Sequence, residues 1–191
     1  MRLGGFALHI CALLFAGCVF VSPALQAQSP KATPLILQAD EGERRVWRPI
    51  KGLQDQPGLF ILKVDPHNGG SSHLVFGTED IQPGGRIESH HHPHADEILY
   101  LQNGSARVGL GDVVRDVNGA TTVFYPAGTE ISVVNTGSEP IHLLFVFSAP
   151  GFEEFMRAES VRDGEKVLPL SKAEDAAIQA KHRKVVIYRE P

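Results

Sequence analysis

From about residue 46 the chain is a series of short apolar runs separated by glycine, proline and asparagine. The runs are rich in β-branched and aromatic residues, which favour strands, and turn residues lie between them. The predicted strands are 59–64, 72–77, 87–92, 97–102, 106–110, 121–125, 130–134 and 141–147. Strands recurring at this spacing predict an all-β sandwich or closed barrel, because parallel sheets need a helix between successive strands.

The first 27 residues are predicted to be a secretory signal peptide. Arg2 precedes an apolar run, and small residues after the run suit cleavage after Ala27 or slightly earlier. The residues that end at Cys18 also resemble a lipobox, so lipid attachment there is a second interpretation. Both cysteines, Cys11 and Cys18, lie in this segment, so the mature chain would contain no disulfide. Both interpretations predict an exported protein, either periplasmic or secreted.

The chain after Pro150 is predicted to be largely helical. Apolar residues at helical spacing follow Phe152, and the segment Ser171–Glu174 is a capping box that opens a helix ending near Lys181. A last short strand is expected at 185–188. The predicted helices would cover the outside of the barrel or one of its open ends.

Four segments therefore follow one another along the chain. They are the signal peptide 1–27, an N-terminal extension 28–58 with a candidate edge strand at 34–38, a barrel 59–150 and a helical extension 151–191. About 160 mature residues are enough for one domain with its own core. No transmembrane segment is expected in the mature protein.

The charge distribution argues against nucleic acid as a partner. Arg2 is one of the 18 lysines and arginines, so the mature chain keeps 17 basic residues against 22 acidic ones. The sequence has no basic run interleaved with aromatic residues, which is the usual pattern of a nucleic-acid surface.

Four of the nine histidines lie within residues 90–94, and Glu97 follows them. In an extended strand the side chains of His90 and His92 project from the same face. A bend after His92 would return Glu97 on a neighbouring strand. Two imidazoles and one carboxylate with open coordination positions form the facial type of site that non-haem iron uses, and Zn²⁺ is also compatible.

The spacing around these ligands resembles the first sequence motif of the cupin superfamily, residue for residue. The motif is Gly84-x5-His90-x-His92-x4-Glu97-x6-Gly104. A second segment, 119–135, contains Pro126-Ala127-Gly128 and resembles the second cupin motif. The start of the helix at 150–155 is similar to small single-domain cupins of the quercetin-dioxygenase-like group. The resemblance implies a cupin double-stranded β-helix, or jelly-roll barrel, with C-terminal helices.

The resemblance also implies a fourth ligand that this chain lacks. Cupins usually carry a histidine at the position of Ile131, so the family ligands that remain are His90, His92 and Glu97. Three interpretations are open. The triad binds a metal with one more open position, or metal affinity has fallen and the barrel is an apolar pocket, or His94 substitutes as a ligand.

The function implied by the resemblance is metal-dependent chemistry on a small molecule. Fe²⁺ is the first expectation, with Mn²⁺, Ni²⁺ and Zn²⁺ open, and a dioxygenase is the first candidate enzyme. A non-catalytic binding or sensing protein of the cell envelope is the alternative from another class, and a metal-assisted isomerase or lyase is a third. A homodimer is expected by resemblance alone.

Overall fold

The computed structural model describes residues 1, 31–51 and 58–189. The predicted signal peptide beyond Met1, with Cys11 and Cys18, lies outside the described residues, so export and lipid attachment stay predictions. No helix within the described part of the chain is long and apolar enough to cross a membrane.

Two antiparallel sheets and two short helices make up the fold, which confirms the predicted all-β jelly roll with C-terminal helices. The elements are β1 (Glu43–Trp47), β2 (Leu59–Val64), β3 (Val75–Ile81), β4 (Arg86–His91), β5 (Glu97–Leu101), β6 (Ser105–Leu110), β7 (Val113–Asn118), β8 (Thr121–Tyr125), β9 (Ile131–Asn135), β10 (Ile141–Phe147), α1 (Phe152–Ala158), β11 (Ser160–Arg162), α2 (Lys172–His182) and β12 (Ile187–Tyr188). The larger sheet has the order β11-β1-β2-β3-β10-β5-β8, and the smaller sheet has the order β12-β4-β9-β6-β7.

The core lies between the two sheets because alternate side chains of the central strands point inward. In β10 every second residue is buried, including Leu143 and Phe145, and β5 and β9 show the same alternation. Leu101 of the larger sheet and Val133 of the smaller sheet are both fully buried in this core. Each such apolar side chain stabilises the fold by about 1.5–3 kcal/mol when it leaves water.

The pairing expected around the histidine turn is wrong. We expected 87–92 and 97–102 to pair with each other, but β4 pairs with β9 and β12, whereas β5 pairs with β10 and β8. A jelly roll carries the chain from one sheet to the other between these strands. The bend between them therefore spans the two sheets, and this brings ligands from both sheets to one place.

The pair Asn103-Gly104 is typical of a two-residue hairpin and predicts one here, but the structure has a turn at this place that is not a hairpin. It joins β5 to β6, which lie in different sheets. Gly104 has a φ of 84°, and a Cβ atom there would lie 2.8 Å from Cγ1 of Ile141. The glycine is therefore required both by the backbone conformation and by the close approach of β10.

Three sequence expectations about strands need correction. Residues 34–38 do not form a strand, whereas β1 (43–47) lies between β2 and β11 and joins the N-terminal extension to the sheet. The third difference is β7, which pairs with β6 although no strand was expected at 113–118. Most of its residues are exposed, so it lacks the alternation of apolar and polar residues that marks a half-buried strand.

The C-terminal elements form as expected and lie beside the histidine strand. Helix α2 begins after Ser171, whose hydroxyl accepts from the N–H of Glu174 while the Glu174 side chain accepts from the N–H of Ser171. Strand β12 pairs with β4, with Tyr188 opposite His90. The C-terminal segment therefore covers one end of the barrel at this strand. The boundaries of the four predicted segments stay a prediction.

Candidate metal centre

The three predicted ligands come together in the interior from both sheets. His90 lies near the end of β4, His92 follows that strand, and Glu97 begins β5. Their exposed fractions are 4%, 2% and 4%, respectively. One ligand atom from each residue lies within 4.8 Å of the other two. A local sequence pattern thus becomes a compact cluster because the bend crosses between the sheets.

The hydrogen bonds of the two histidines leave both Nε2 atoms without a proton. Nδ1 of His90 lies 2.7 Å from the carbonyl oxygen of Glu88, and Nδ1 of His92 lies 2.8 Å from that of Val185. A carbonyl only accepts, so each Nδ1 carries the proton and donates it. The two Nε2 atoms lie 3.2 Å apart, and in the neutral rings both present lone pairs. The carbonyls fix the tautomer that a metal needs.

Burial keeps the imidazoles neutral. It lowers the pKa of His90 to about 4, and the neighbouring His92 acts in the same direction. Burial likewise lowers the pKa of His92 to about 4, against the opposite effect of its hydrogen bond to Val185. At neutral pH both rings therefore offer a free nitrogen lone pair.

Glu97 completes the cluster with an unpaired oxygen. Its Oε2 lies 3.2 Å from Nε2 of His92, but this nitrogen has no proton to donate, and no other described atom donates to Oε2. Burial raises the pKa of Glu97 to about 8, although a hydrogen bond from Tyr125 lowers it. With this pKa the carboxyl group of the metal-free protein holds a proton at neutral pH, which Oε2 can donate to the lone pair of His92 Nε2, and a bound cation would replace that proton.

The donor set fits a divalent metal. Metal–ligand bonds of about 2.0–2.2 Å place neighbouring ligand atoms about 2.8–3.6 Å apart in octahedral or tetrahedral geometry. The two contacts that involve Nε2 of His92 are both 3.2 Å. Two neutral imidazoles and one carboxylate leave further coordination positions for water or a bound molecule.

Aromatic side chains surround the two histidines, and sequence reasoning missed them. The Phe152 ring in α1 lies 4.5 Å from the His92 ring, and the Phe147 ring in β10 lies 4.9 Å from it. The Tyr188 ring in β12 lies 5.3 Å from the His90 ring. These residues are far from the motif in sequence, so no local spacing marks them as neighbours of the ligands.

A cavity of about 670 Å³ opens beside the cluster. His90 and Glu97 line it together with aromatic residues from several elements, including Tyr125, Phe145 and Phe147. A cavity of this volume suits a small organic molecule. The cluster can therefore present its open coordination positions to a bound ligand.

The structure decides between the roles that were open for two other residues. Ile131 is 1% exposed and pairs with His90 across β4 and β9, so its apolar side chain lies on the face of the expected fourth ligand. His94 is exposed and does not belong to the cluster, which disfavours the third interpretation, in which it substitutes as a ligand. The cluster consists of three ligands within the described residues.

Comparisons with known proteins extend these observations. The family described as the cupin domain matches residues 77–147, which hold all three ligands. Protein SchB of Streptomyces halstedii is 29% identical over 82 residues, which cover 43% of this chain and 59% of SchB. The tetracenomycin polyketide synthase protein TcmJ of Streptomyces glaucescens is 29% identical over 94 residues, which cover 49% of this chain and 62% of TcmJ. The chain thus spans about three fifths of the length of these curated relatives.

One solved structure supports the fold. A predicted oxalate decarboxylase of Thermotoga maritima superposes with a TM-score of 0.54 at 16% identity, over 61% of this chain and 100% of that one. At this identity the superposition shows the fold alone. The family match covers most of β3 and continues to the end of β10, and the two-sheet architecture agrees with it. The matched part of the chain, residues 77–147, is therefore a cupin domain.

Proposed function

We propose that the protein binds a divalent metal through His90, His92 and Glu97 and acts as an enzyme on a small organic molecule. The observation that carries this proposal is the pair of unprotonated Nε2 atoms 3.2 Å apart beside an unpaired carboxylate oxygen. Two imidazole lone pairs and a buried carboxyl group directed at one another form a donor set that a divalent cation would satisfy by replacing the proton of Glu97.

The first candidate reaction is that of a non-haem iron dioxygenase. Bound Fe²⁺ would supply oxygen activation and Lewis acidity, which a triad of two histidines and one carboxylate with open positions supports. Mn²⁺, Ni²⁺ and Zn²⁺ remain compatible with the same donors. Membership of the quercetin-dioxygenase-like group is part of this proposal.

Other residues of the chain would orient the metal ligands and exclude water from one side of the site. The backbone carbonyls of Glu88 and Val185 orient the two imidazoles, and Tyr125 donates a hydrogen bond to Glu97. Phe147 and Phe152 pack on His92 and exclude water from that side of the cluster. A dry, fixed donor set strengthens electrostatic interactions with a bound molecule.

Two alternatives keep the same cavity. A binding or sensing protein of the cell envelope would use the cavity without turnover, and the apolar Ile131 at the position of the missing ligand favours it. A metal-assisted isomerase or lyase would use the metal only as a Lewis acid. The name of TcmJ connects that relative with polyketide synthesis, which supports an organic ligand in any of the three cases.

We also propose that the protein is exported and forms a homodimer. The predicted signal peptide, with small residues near Ala27 that suit cleavage, supports export. The outer face of the larger sheet supports a dimer, because Ile98, Tyr100 and Phe124 are apolar and exposed there. Strand β8 ends this sheet among the described strands and carries no charged residue, so two copies can meet edge to edge without repulsion.

The metal content of the purified protein tests the central proposal. Wild-type protein prepared without chelators is expected to hold about one divalent ion per chain by elemental analysis. The His92→Ala variant is expected to bind the same ion at least about a hundredfold more weakly, because it loses a ligand rather than a residue that only orients one. If wild-type protein carries no more metal than His92→Ala, the enzyme proposal is abandoned.

His94→Ala is the matched control for this test. It removes a histidine two positions away, but His94 is exposed and outside the cluster. It should keep the metal content of wild-type protein. An equal loss in both variants would show that the metal binds to the histidine-rich turn at the surface and not to the buried triad.

A further inference from the structure

The cavity has a second group of carboxyl side chains on elements that do not carry the triad. Glu159 is the C-cap of α1, and Asp175 lies in the first turn of α2. Both line the cavity that His90 and Glu97 also line. The same binding space therefore has acidic groups in two places, one of which the metal proposal does not use.

Glu159 is the unusual member of this pair. It is 9% exposed, and its Oε1 is buried with no hydrogen-bond partner among the residues that the structure describes. Burial raises the pKa of Glu159 to about 9, and the neighbouring Asp175 carboxyl acts in the same direction. The two adjacent carboxyl groups therefore hold one proton at neutral pH and keep one negative charge, and a cationic donor from a bound molecule would stabilise this charge.

The basic side chains of the cavity wall do not supply that donor. Arg48 donates from Nε to the carbonyl of Leu168, and Lys172 is exposed at the start of α2. The other two basic residues of the wall, Arg86 and Arg189, pair with Glu88 and Glu130, and none of the four donates to Oε1 of Glu159. Asp175 in turn accepts a hydrogen bond from the Gln179 amide. The local hydrogen bonds therefore hold Asp175 in place and leave Glu159 open.

Aromatic residues line the same space. Trp47, Phe152 and Tyr188 all form part of the cavity wall. The indole N–H of Trp47 is already bound to Glu79, another acid in the wall, at 2.8 Å. Aromatic faces attract organic cations as well as apolar groups. Acidic and aromatic groups together suit a ligand that combines a positive charge with an apolar body.

We propose that Glu159, supported by Asp175, binds the protonated amino group of a small aromatic or apolar amine in this cavity. The inference deepens the proposed function, because it names a chemical class for the molecule that the metal would act on. A neutral hydroxyl could satisfy only one acceptor. A protonated amine has several donors, and its positive charge can offset the negative charge of the carboxyl pair, so it is the favoured occupant.

Three probes of similar size and different charge test this proposal. They are 2-phenylethylamine, 2-phenylethanol and 3-phenylpropionate, titrated into the full mature protein at neutral pH and followed by calorimetry or by NMR. The amine is expected to bind on the order of ten- to a hundredfold more tightly than the alcohol, since hydrogen bonds to charged groups are the stronger ones. The carboxylate is expected to bind most weakly.

Two variants locate the binding group. Glu159→Gln and Asp175→Asn should each remove most of the preference for the amine over the alcohol and leave binding of the alcohol nearly unchanged. Glu174→Gln is the matched control, because it neutralises the adjacent carboxyl of α2 while glutamine can still form the capping box. It should keep the preference. Circular dichroism shows which variants fold. If Glu159→Gln does not fold, the preference measured on Asp175→Asn tests the proposal.

The outcomes separate this inference from the metal proposal. Equal binding of the amine and the alcohol to wild-type protein, or an unchanged preference in both variants, would overturn the inference. Amine binding is measured with and without added metal, and metal content is measured on the same samples. Wild-type protein that binds no metal but prefers the amine would contradict only the metal proposal. Wild-type protein that binds metal but does not prefer the amine would contradict only the present inference.

Discussion

At the scale of single residues, the site depends on which nitrogen of each histidine carries a proton. Two backbone carbonyls fix Nδ1–H in His90 and in His92, so both Nε2 atoms are left for a metal. The spacing of His90 and His92 in the sequence predicts only that their side chains share a face. The carbonyl of Val185 lies 93 positions from His92, and no sequence pattern connects them.

The replacement Ile131→His tests whether the missing fourth ligand can be restored. Ile131 pairs with His90 across two strands and is 1% exposed, so an imidazole there would lie beside the triad. Metal affinity is expected to rise about tenfold or more, measured by competition with a chelator, because one more ligand binds the ion. The unfolding midpoint of the metal-free variant is expected to fall, because a polar ring replaces a packed apolar side chain.

Ile131→Val is the control for the loss of packing alone. It should lower the stability of the metal-free protein by about 0.5–1.5 kcal/mol and leave metal affinity as in wild-type protein. An unchanged affinity in Ile131→His, with the fold intact, would mean that this position does not face the bound metal.

At the scale of elements, helix α1 contacts both the metal ligands and the larger sheet. Helix α1 supplies Phe152 against His92, and Arg157 in the same helix binds Glu43 of β1 and Asp65 after β2. Asp65 is 0% exposed, so this is a buried ion pair between the helix and the larger sheet. The helical spacing predicts α1, but only the tertiary structure shows what the helix holds.

The replacement Arg157→Ala is expected to destabilise the protein by about 3–5 kcal/mol, because it leaves the buried carboxylate of Asp65 without its cation. Chemical denaturation measures this loss. Arg162→Ala is the matched control, since Arg162 is exposed on β11 and its removal should change the stability by less than about 0.5 kcal/mol. Similar losses in the two variants would show that the Arg157 ion pair does not carry the attachment of α1.

At the scale of the whole molecule, the larger sheet has exposed apolar side chains on its outer face near β8. The outer face of β5 and β8 is apolar, with Ile98 directly opposite Phe124 in the register of the two strands. Phe124 is 53% exposed, and Tyr100 lies on the same face. Exposed apolar patches of this kind are typical of protein interfaces, which supports the homodimer proposal.

The replacement Phe124→Glu tests that dimer. A charge in the middle of the apolar face would be buried in the interface, so the variant is expected to be monomeric when its mass is measured by light scattering or ultracentrifugation. Val114→Glu is the control, because Val114 is 67% exposed on β7 of the other sheet. It should keep the mass of wild-type protein. A wild-type protein that is itself monomeric at high concentration would contradict the proposal.

The sequence alone determined the features that depend on neighbouring residues. The strand-forming runs, the capping box at Ser171 and the spacing of His90, His92 and Glu97 all follow from local geometry and backbone preference, and the structure contains each of them. The tertiary structure alone decided that β4 and β5 lie in different sheets, that β12 covers β4 and that Glu159 lines the cavity. These features arise from contacts between distant segments, whose free energy depends on packing in three dimensions and leaves no periodic signal in the chain.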